Sequence, residues 1–358
     1  MDVARVAEWV WYGRGAGPAV VRAALAPAEL LFRAGATARG ALYAAGLAHA
    51  HALGLPALGV GNLTVGGTGK TPVAAWACAE LRRRGVRPAL LLRGVGGDEP
   101  QVHALLNPDV PVVADADRVR GAARARALGA DALVLDDAFQ HRRARRDADF
   151  VLVSAERYDG AARLLPAGPY REGLGALRRA TVIVVTRKSS TLLHAEAAAR
   201  ELQARAPHVN VAIVHLAADA LHRWGANAGR DAARALLTLR GTDVIAAAGV
   251  GDPEAFAAQL VAAGARVTLA RYADHHAYTD ADARALAVRA EARAARDTLI
   301  VTTLKDAVKL GPRWPREAPP LWYVSQRVTV ERGGDALAAR LDIIAAAARA
   351  RAASAPTP

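Results

Sequence analysis

The sequence predicts an α/β protein in which a parallel-sheet domain precedes a second, smaller α/β domain. Three observations carry this. From residue 57 onward, short apolar runs alternate with helix-period segments, as in parallel βαβ units covered on both faces. A glycine-rich stretch at 61–71 lies between one such run and a helical pattern, which makes the first domain P-loop NTPase-like. A further βα series begins near residue 240 of a 358-residue chain, a length that suits about two domains.

Composition narrows the class. Hydrophobic residues make up 53% and charged residues 23%, which excludes a disordered chain. The single cysteine, Cys78, excludes a disulfide framework and a cysteine-built zinc site. The formal net charge is +13, and all but four of the 47 cationic side chains are arginines. Such a chain is drawn to anionic partners: nucleic acid, anionic lipid or a phosphorylated substrate. Aromatic residues are only 5% and show no repeated aromatic/basic pattern, so a single-strand stacking platform is not expected.

The first 50 residues differ from the rest. Trp9, Trp11 and Tyr12 lie beside Arg5 and Arg14, and Val20, Val21, Leu25, Leu30, Leu31 and Phe32 follow at helical spacing. Two readings are open: a helix pair packed on the domain, or a segment at a bilayer surface with Trp and Tyr at headgroup level. Asp2 and Glu8 stand where a signal peptide carries positive charge, and the uncharged run 40–69 is broken by Pro56 and many glycines. A soluble or surface-bound protein is expected.

Strands are expected at 57–60, 89–92, 132–135, 150–153 and 182–185, with a helix at 72–84 ended by Gly85. Extended segments at 210–216 and 235–239 flank a turn at 224–229. Strand 244–248, helix 253–263, strand 266–269, helix 280–296, strands 298–302 and 321–324, and a tail helix from 334 to about 351 follow. The domain plan is an N-terminal segment at 1–50, a P-loop domain at 51–215, a β linker at 216–240, and a second domain with the C-terminal helix at 241–350.

The chemistry-bearing residues start with Gly61-Asn62-Leu63-Thr64-Val65-Gly66-Gly67-Thr68-Gly69-Lys70-Thr71. Backbone amides of Thr64, Gly66, Gly67, Thr68 and Gly69 can wrap phosphates at a helix N-terminus. Lys70 would reach the β- and γ-phosphates, and Thr71 would ligate Mg²⁺. Thr64 stands where the strict pattern has glycine. Leu133-Val134-Leu135-Asp136-Asp137 is a buried run ending in two acids, the arrangement that holds a nucleotide's metal. Neighbouring strand residues face opposite ways, so one acid should face the metal unless the strand has ended. Asp136 is assigned to the metal, and Asp137 to orienting water or substrate.

Four more groups stand out: Arg93-Gly94-Val95-Gly96-Gly97-Asp98-Glu99-Pro100; Gln140-His141 with arginines after it; Leu165-Pro166-Ala167-Gly168-Pro169-Tyr170-Arg171-Glu172; and Asp274-His275-His276. Taken singly, each reads equally as solvated charge, a turn or a satisfied histidine.

Taken together and in order, with GVGDPE at 249–254 and TLKDAVKL at 303–310, these stretches resemble the tetraacyldisaccharide 4′-kinase family over most of the chain. The resemblance implies two α/β domains joined by a short β linker, with the active site in the cleft between them. It implies Mg²⁺-dependent transfer of the ATP γ-phosphoryl group to the 4′-hydroxyl of an acylated glucosamine disaccharide 1-phosphate, in lipid A biosynthesis. It places the enzyme peripherally at the cytoplasmic face of the inner membrane, against an anionic surface, and favours the bilayer reading of the N-terminal segment. Neither nucleic acid nor an obligate protein partner is implied. Asp98 and His275 resemble the family's pair acting on the acceptor hydroxyl, with Asp137 beside them. Gln140, Arg171 and Glu172 would meet the substrate or its phosphate. The chain departs from the family pattern at Val95, Ala138 and Leu304. From residues alone, a P-loop ATPase switch and a non-enzymatic nucleic-acid binder are the rivals; the first leaves LPAGPYRE and DHH unexplained, and no recognition motif supports the second.

Overall fold

The computed structural model describes residues 3–94, 97–225, 233–274, 276–292 and 298–354. The chain divides into two units, Met1–Val214 with Val330–Pro358, and His215–Thr329.

The first unit opens with helices α1 (Val3–Tyr12) and α2 (Ala16–Ala44). There follow β1 (Ala57–Asn62), α3 (Lys70–Arg83), β2 (Pro88–Leu92), α4 (Glu99–Leu106), β3 (Val112–Ala114), α5 (Arg118–Ala127), β4 (Ala132–Asp136), β5 (Ala148–Ser154), β6 (Val182–Arg187), α6 (Leu192–Arg205) and the start of β7 (Asn210–Arg223). The strand order is β7-β6-β5-β1-β4-β2-β3. β1 pairs in parallel with β4 and β5, β2 with β3 and β4, and β5 with β6.

The physical basis is plain in the sequence. β1, β2 and β4 are uninterrupted runs buried at every position, as a sheet covered on both faces requires. Leu91, Leu133 and Leu135 pack with Ala122 and Ala125 of α5. Val151, Ile183 and Val185 pack with Ala195, Ala198 and Leu202 of α6. Each fully buried Leu or Val contributes about 1.5–3 kcal/mol. Register then positions the chemistry: Val60 lies opposite Asp136, so β1 and β4 end side by side and the loops after them meet. Carboxyl ends of parallel strands are where such folds bind ligands.

The second unit holds the rest of β7, β8 (Ala233–Ala235), β9 (Asp243–Ala248), α7 (Pro253–Ala262), β10 (Arg266–Arg271), α8 (Asp280–Glu291), β11 (Leu299–Thr303), α9 (Leu304–Leu310) and most of β12 (Leu321–Arg332). Its order is β10-β9-β11-β12, all parallel pairs, with β8 antiparallel to β7. Asp252 caps α7 ahead of Pro253, and Thr279 and Asp282 form a capping box on α8, the start signals these residue types supply.

The structure departs from the sequence reading in four places. Only the beginning of 235–239 is extended; Leu236–Leu239 is a 3-10 turn. β12 is 12 residues rather than a short run, its polar second half alternating with half-buried positions. β3, with only three residues, is too short for a periodicity signal. Finally, the C-terminal helix α10 (Gly334–Ala353) belongs to the first unit, not the second. It packs on α3 and β4, with Arg84 Nε 2.7 Å from Asp342 Oδ1 and Arg349 donating to the Arg84 carbonyl at 3.1 Å.

The N-terminal helices separate two kinds of apolar residue. Val10 and Pro18 are buried. Val20, Leu30 and Leu31 are 67%, 64% and 77% exposed, and Val6, Trp9, Phe32, Leu42 and Leu47 are exposed too. Val21 and Leu25 are half-buried, so the stripe divides: part of it packs and Val20, Leu30, Leu31 and Phe32 stay outside the core. Glu29, between them, turns inward and accepts from the Leu164 amide at 2.9 Å. Among the described residues no helix is long and apolar enough to cross a membrane.

Candidate active site

The glycine-rich loop begins where β1 ends and closes where α3 starts. Gly66 (φ 109°) and Gly69 (φ 87°) occupy the left-handed region, which glycine adopts without the Cβ penalty of other residues. Gly69 is also the N-cap of α3, so Lys70 and Thr71 stand on the first turn, where free amides and the helix dipole favour anions.

Two neighbouring elements hold the loop. Buried Thr68 receives a hydrogen bond from Asn62 Nδ2 on its Oγ1 (2.8 Å), and one from Thr186 Oγ1 on its carbonyl (2.9 Å). Lys188 Nζ donates to the Gly67 carbonyl at 2.9 Å. On the other flank, the Val65 amide donates to Pro169 at 2.8 Å and the Arg171 amide to Leu63 at 2.7 Å, with a Thr64–Tyr170 bridge between. LPAGPYRE is thus a backbone clasp on the phosphate loop. This also shows why Thr64 tolerates a side chain: it sits in bridge geometry.

β4 ends at Asp136, and Asp137 has φ 50°. The strand has ended, so strand alternation does not separate the two acids. Asp136 is 3% exposed; its Oδ1 accepts from the Asp137 amide at 2.8 Å and its Oδ2 from His103 Nε2 at 2.9 Å. Asp137 faces outward: its Oδ1 is 3.6 Å from Lys70 Nζ and 2.9 Å from Arg171 Nη2. Burial pushes the Asp137 carboxyl up, but Lys70 and Arg171 together outweigh it and hold it at about 2.

Arg171 also bonds Asn62 Oδ1, and Gln140 Nε2 donates to the Asn62 carbonyl at 2.8 Å. Lys70, Thr68, Asp137, Gln140 and Arg171 are thereby gathered around Asn62 and the end of β4. Glu172 is not among them. It takes a two-pronged bond from Arg179 at 2.8 and 3.1 Å, while Arg179 lies over the Phe139 ring; Arg171 and Glu172, adjacent in sequence, do not pair. Asp98, 4% exposed, is the N-cap of α4. Ala138, a departure from the family pattern, is fully buried in the core, where its methyl is accommodated. His275 and Val95 lie outside the described residues.

Three contributors were not singled out from the sequence. Asn62 is the polar hub just described. Arg118, 2% exposed, opens α5; burial lowers its guanidinium, and the nearby Asp137 and Asp136 carboxylates oppose that. His103 is buried against Asp136. Among so many arginines Arg118 carried no distinguishing signal, and a lone histidine in a helical segment reads as core.

The donor set suits a nucleotide-borne magnesium. Among the described residues no cluster of three His, Cys, Asp or Glu could hold a metal unaided. Mg²⁺ carried by phosphates and water needs only one or two protein oxygens. The Thr71 hydroxyl and Asp136 carboxylate, both on nearly buried residues, could serve as such oxygens.

The comparisons agree with this geometry. The family model described as tetraacyldisaccharide-1-P 4′-kinase matches residues 21–105 and 95–345. A tetraacyldisaccharide 4′-kinase of Anaeromyxobacter sp. (strain Fw109-5) is 41% identical over 368 residues, 94% of this chain and 96% of that one. One from Syntrophus aciditrophicus is 34% identical, over 85% and 88% of the two chains. The crystal structure of LpxK from Aquifex aeolicus in complex with ATP has TM-score 0.69 and 27% identity, covering 90% of this chain and 99% of that one. The chain belongs to the tetraacyldisaccharide-1-P 4′-kinase family.

Proposed function

We propose that the family's reaction, ATP-dependent phosphorylation of a lipid A precursor, proceeds here at the loop 61–71 and the ends of β1 and β4. The clasped phosphate loop, with Lys70 and Arg171 converging on Asp137, carries this reading.

The acceptor is the 4′-hydroxyl of an acylated glucosamine disaccharide 1-phosphate. Its oxygen forms a bond to the γ-phosphorus, the bond from that phosphorus to the β–γ bridging oxygen breaks, and ADP leaves. The hydroxyl proton passes to the Asp98 carboxylate, since a sugar hydroxyl is a poor nucleophile near neutral pH. The amides of Thr64, Gly66, Gly67 and Gly69 and the Lys70 ammonium hold the phosphates, while the Thr68 amide closes the loop on the Gly66 carbonyl at 3.0 Å. Bound Mg²⁺, held by Thr71 and Asp136, would supply charge neutralisation on the phosphates. Asp137 keeps Lys70 and Arg171 oriented towards them, and Arg118 adds positive field from β3's side of the sheet. Gln140 and Arg171 face the acceptor or its phosphate. His275 is assigned, on family resemblance, to share the acceptor proton.

The exposed apolar residues of α1 and α2 lie on an anionic bilayer at the cytoplasmic face of the inner membrane. A chain of net charge +13 supports this, because basic surfaces are attracted to anionic lipid.

Incubation with γ-labelled ATP, Mg²⁺ and detergent-dispersed tetraacyldisaccharide 1-phosphate tests the proposal. Label in the lipid, lost in Lys70→Ala, is the expected result. Label released only as inorganic phosphate overturns it.

A further inference from the structure

His103 is one turn into α4, the helix headed by Asp98. It is 1% exposed, and its Nε2 lies 2.9 Å from Asp136 Oδ2. Its Nδ1 has no hydrogen-bond partner among the described residues. Burying an imidazole with one nitrogen unpartnered is unfavourable, and a leucine would fill the space without that penalty. The other nitrogen is aimed at one of the two acids of the site. Asp136 Oδ1 is engaged by the Asp137 amide at 2.8 Å, so the two bonds together fix the carboxylate's rotation. At the far end of α4, Asn107 donates to the Ala75 carbonyl of α3 at 3.0 Å. The helix that carries Asp98 is thus fastened to the phosphate-loop helix by Asn107 and to β4 by His103.

We propose that His103 is a positioning residue for Asp136: its Nε2–H holds the carboxylate in the orientation that meets the nucleotide-borne metal, and ties that carboxylate to the helix bearing Asp98. This rests on Asp136 being the metal-side acid. Partners of this kind, one bond removed from a metal, typically alter metal affinity or activity by about 10–100-fold when lost.

The test measures Mn²⁺ affinity by paramagnetic resonance in the full chain saturated with the β,γ-methylene analogue of ATP. His103→Leu is expected to weaken Mn²⁺ by about tenfold or more, with metal-free binding of the analogue unchanged. His103→Gln, which keeps an N–H donor, should recover part of the loss. His103→Leu combined with Asp136→Asn should bind Mn²⁺ no more weakly than Asp136→Asn alone. Unchanged Mn²⁺ affinity in His103→Leu, or losses that simply add in the double variant, overturns the proposal. Parent-like Mn²⁺ affinity in Asp136→Asn instead overturns the metal-side reading of Asp136, and this inference with it. If His103→Leu does not fold, His103→Met, a flexible apolar filler without a donor, takes its place with the same two outcomes.

Discussion

Lys70, on the first turn of α3, and Asp137, just past the end of β4, meet with Nζ 3.6 Å from Oδ1. Arg171 shares the same carboxylate at 2.9 Å. Two cations are thus pre-placed by one acid beside the phosphate loop. Preorganised charge of this kind needs no rearrangement as phosphoryl charge develops. Lys70→Ala should lower single-turnover transfer by about 10²–10³-fold or more, while the melting temperature changes little, because Arg171 still pairs with the Asp137 carboxylate. Radiolabel transfer and thermal unfolding on the same preparation check both halves.

The depressed Asp137 carboxyl has a defined pH signature. At about 2 it lies below its ordinary 3.8. The native state therefore binds fewer protons than the unfolded chain in that window. The stabilisation it brings is complete above 3.8 and is lost as pH falls towards 2. Carboxyl-carbon NMR should show Asp137 titrating near 2, in the same range as Asp115 beside Arg120, and only the Asp137 signal should disappear in Asp137→Asn. In Lys70→Ala/Arg171→Ala that aspartate should move up. An Asp137 signal that stays put in the double variant would mean that the two cations are not the cause.

Arg171 and Glu172 should part company under mutation. Arg171 reaches Asp137 and Asn62 with a planar fork that lysine cannot reproduce. Arg171→Lys should therefore lose most of the transfer rate. Glu172 is spent on Arg179. Glu172→Gln should cost about 0–1 kcal/mol of stability and leave KM for the lipid unchanged. Steady-state kinetics with urea unfolding separates these outcomes; a raised lipid KM in Glu172→Gln would restore it to the substrate zone.

His141 offers a second pH handle. Burial lowers it below its ordinary 6.5, and Arg118, Arg146, Arg39 and Arg93 add repulsion. A histidine held neutral in the native state favours unfolding once the unfolded chain can take its proton. Its contribution is intact above 6.5 and declines as pH falls below it. The urea midpoint of the parent should fall from pH 7.5 to pH 5.5 more than that of His141→Gln.

The exposed stripe on α2 gives a membrane prediction. Leu30 and Leu31 are 64% and 77% exposed, so replacing both with Ser should change the unfolding free energy by no more than about 0.5 kcal/mol. Binding to phosphatidylglycerol vesicles should weaken several-fold. Glu29→Ala, which removes the acceptor of the Leu164 amide, should do the reverse: destabilise the fold by about 1–3 kcal/mol with vesicle affinity retained. Sedimentation with sucrose-loaded vesicles distinguishes the two.

Local pattern was enough for some features. The apolar runs of β1, β2, β4, β5 and β6, the loop 61–71 and the acids ending β4 were legible because burial on both faces, glycine spacing and strand–helix order are written in neighbouring residues. Three-dimensional proximity was not. Asn62 as a hub, Arg118 and His103 beside the two acids, LPAGPYRE clasped to Thr64, and Glu172 turned to Arg179 all join residues far apart in the chain or choose between equivalent neighbours. The placement of α10 on α3 and β4 likewise followed no sequence order. By itself, then, the sequence determined which elements form and which chemistry they carry, since both depend on periodicity and residue type over short spans. Tertiary structure decided which polar groups meet, because a buried donor settles on whichever acceptor the packed sheet brings within about 3 Å.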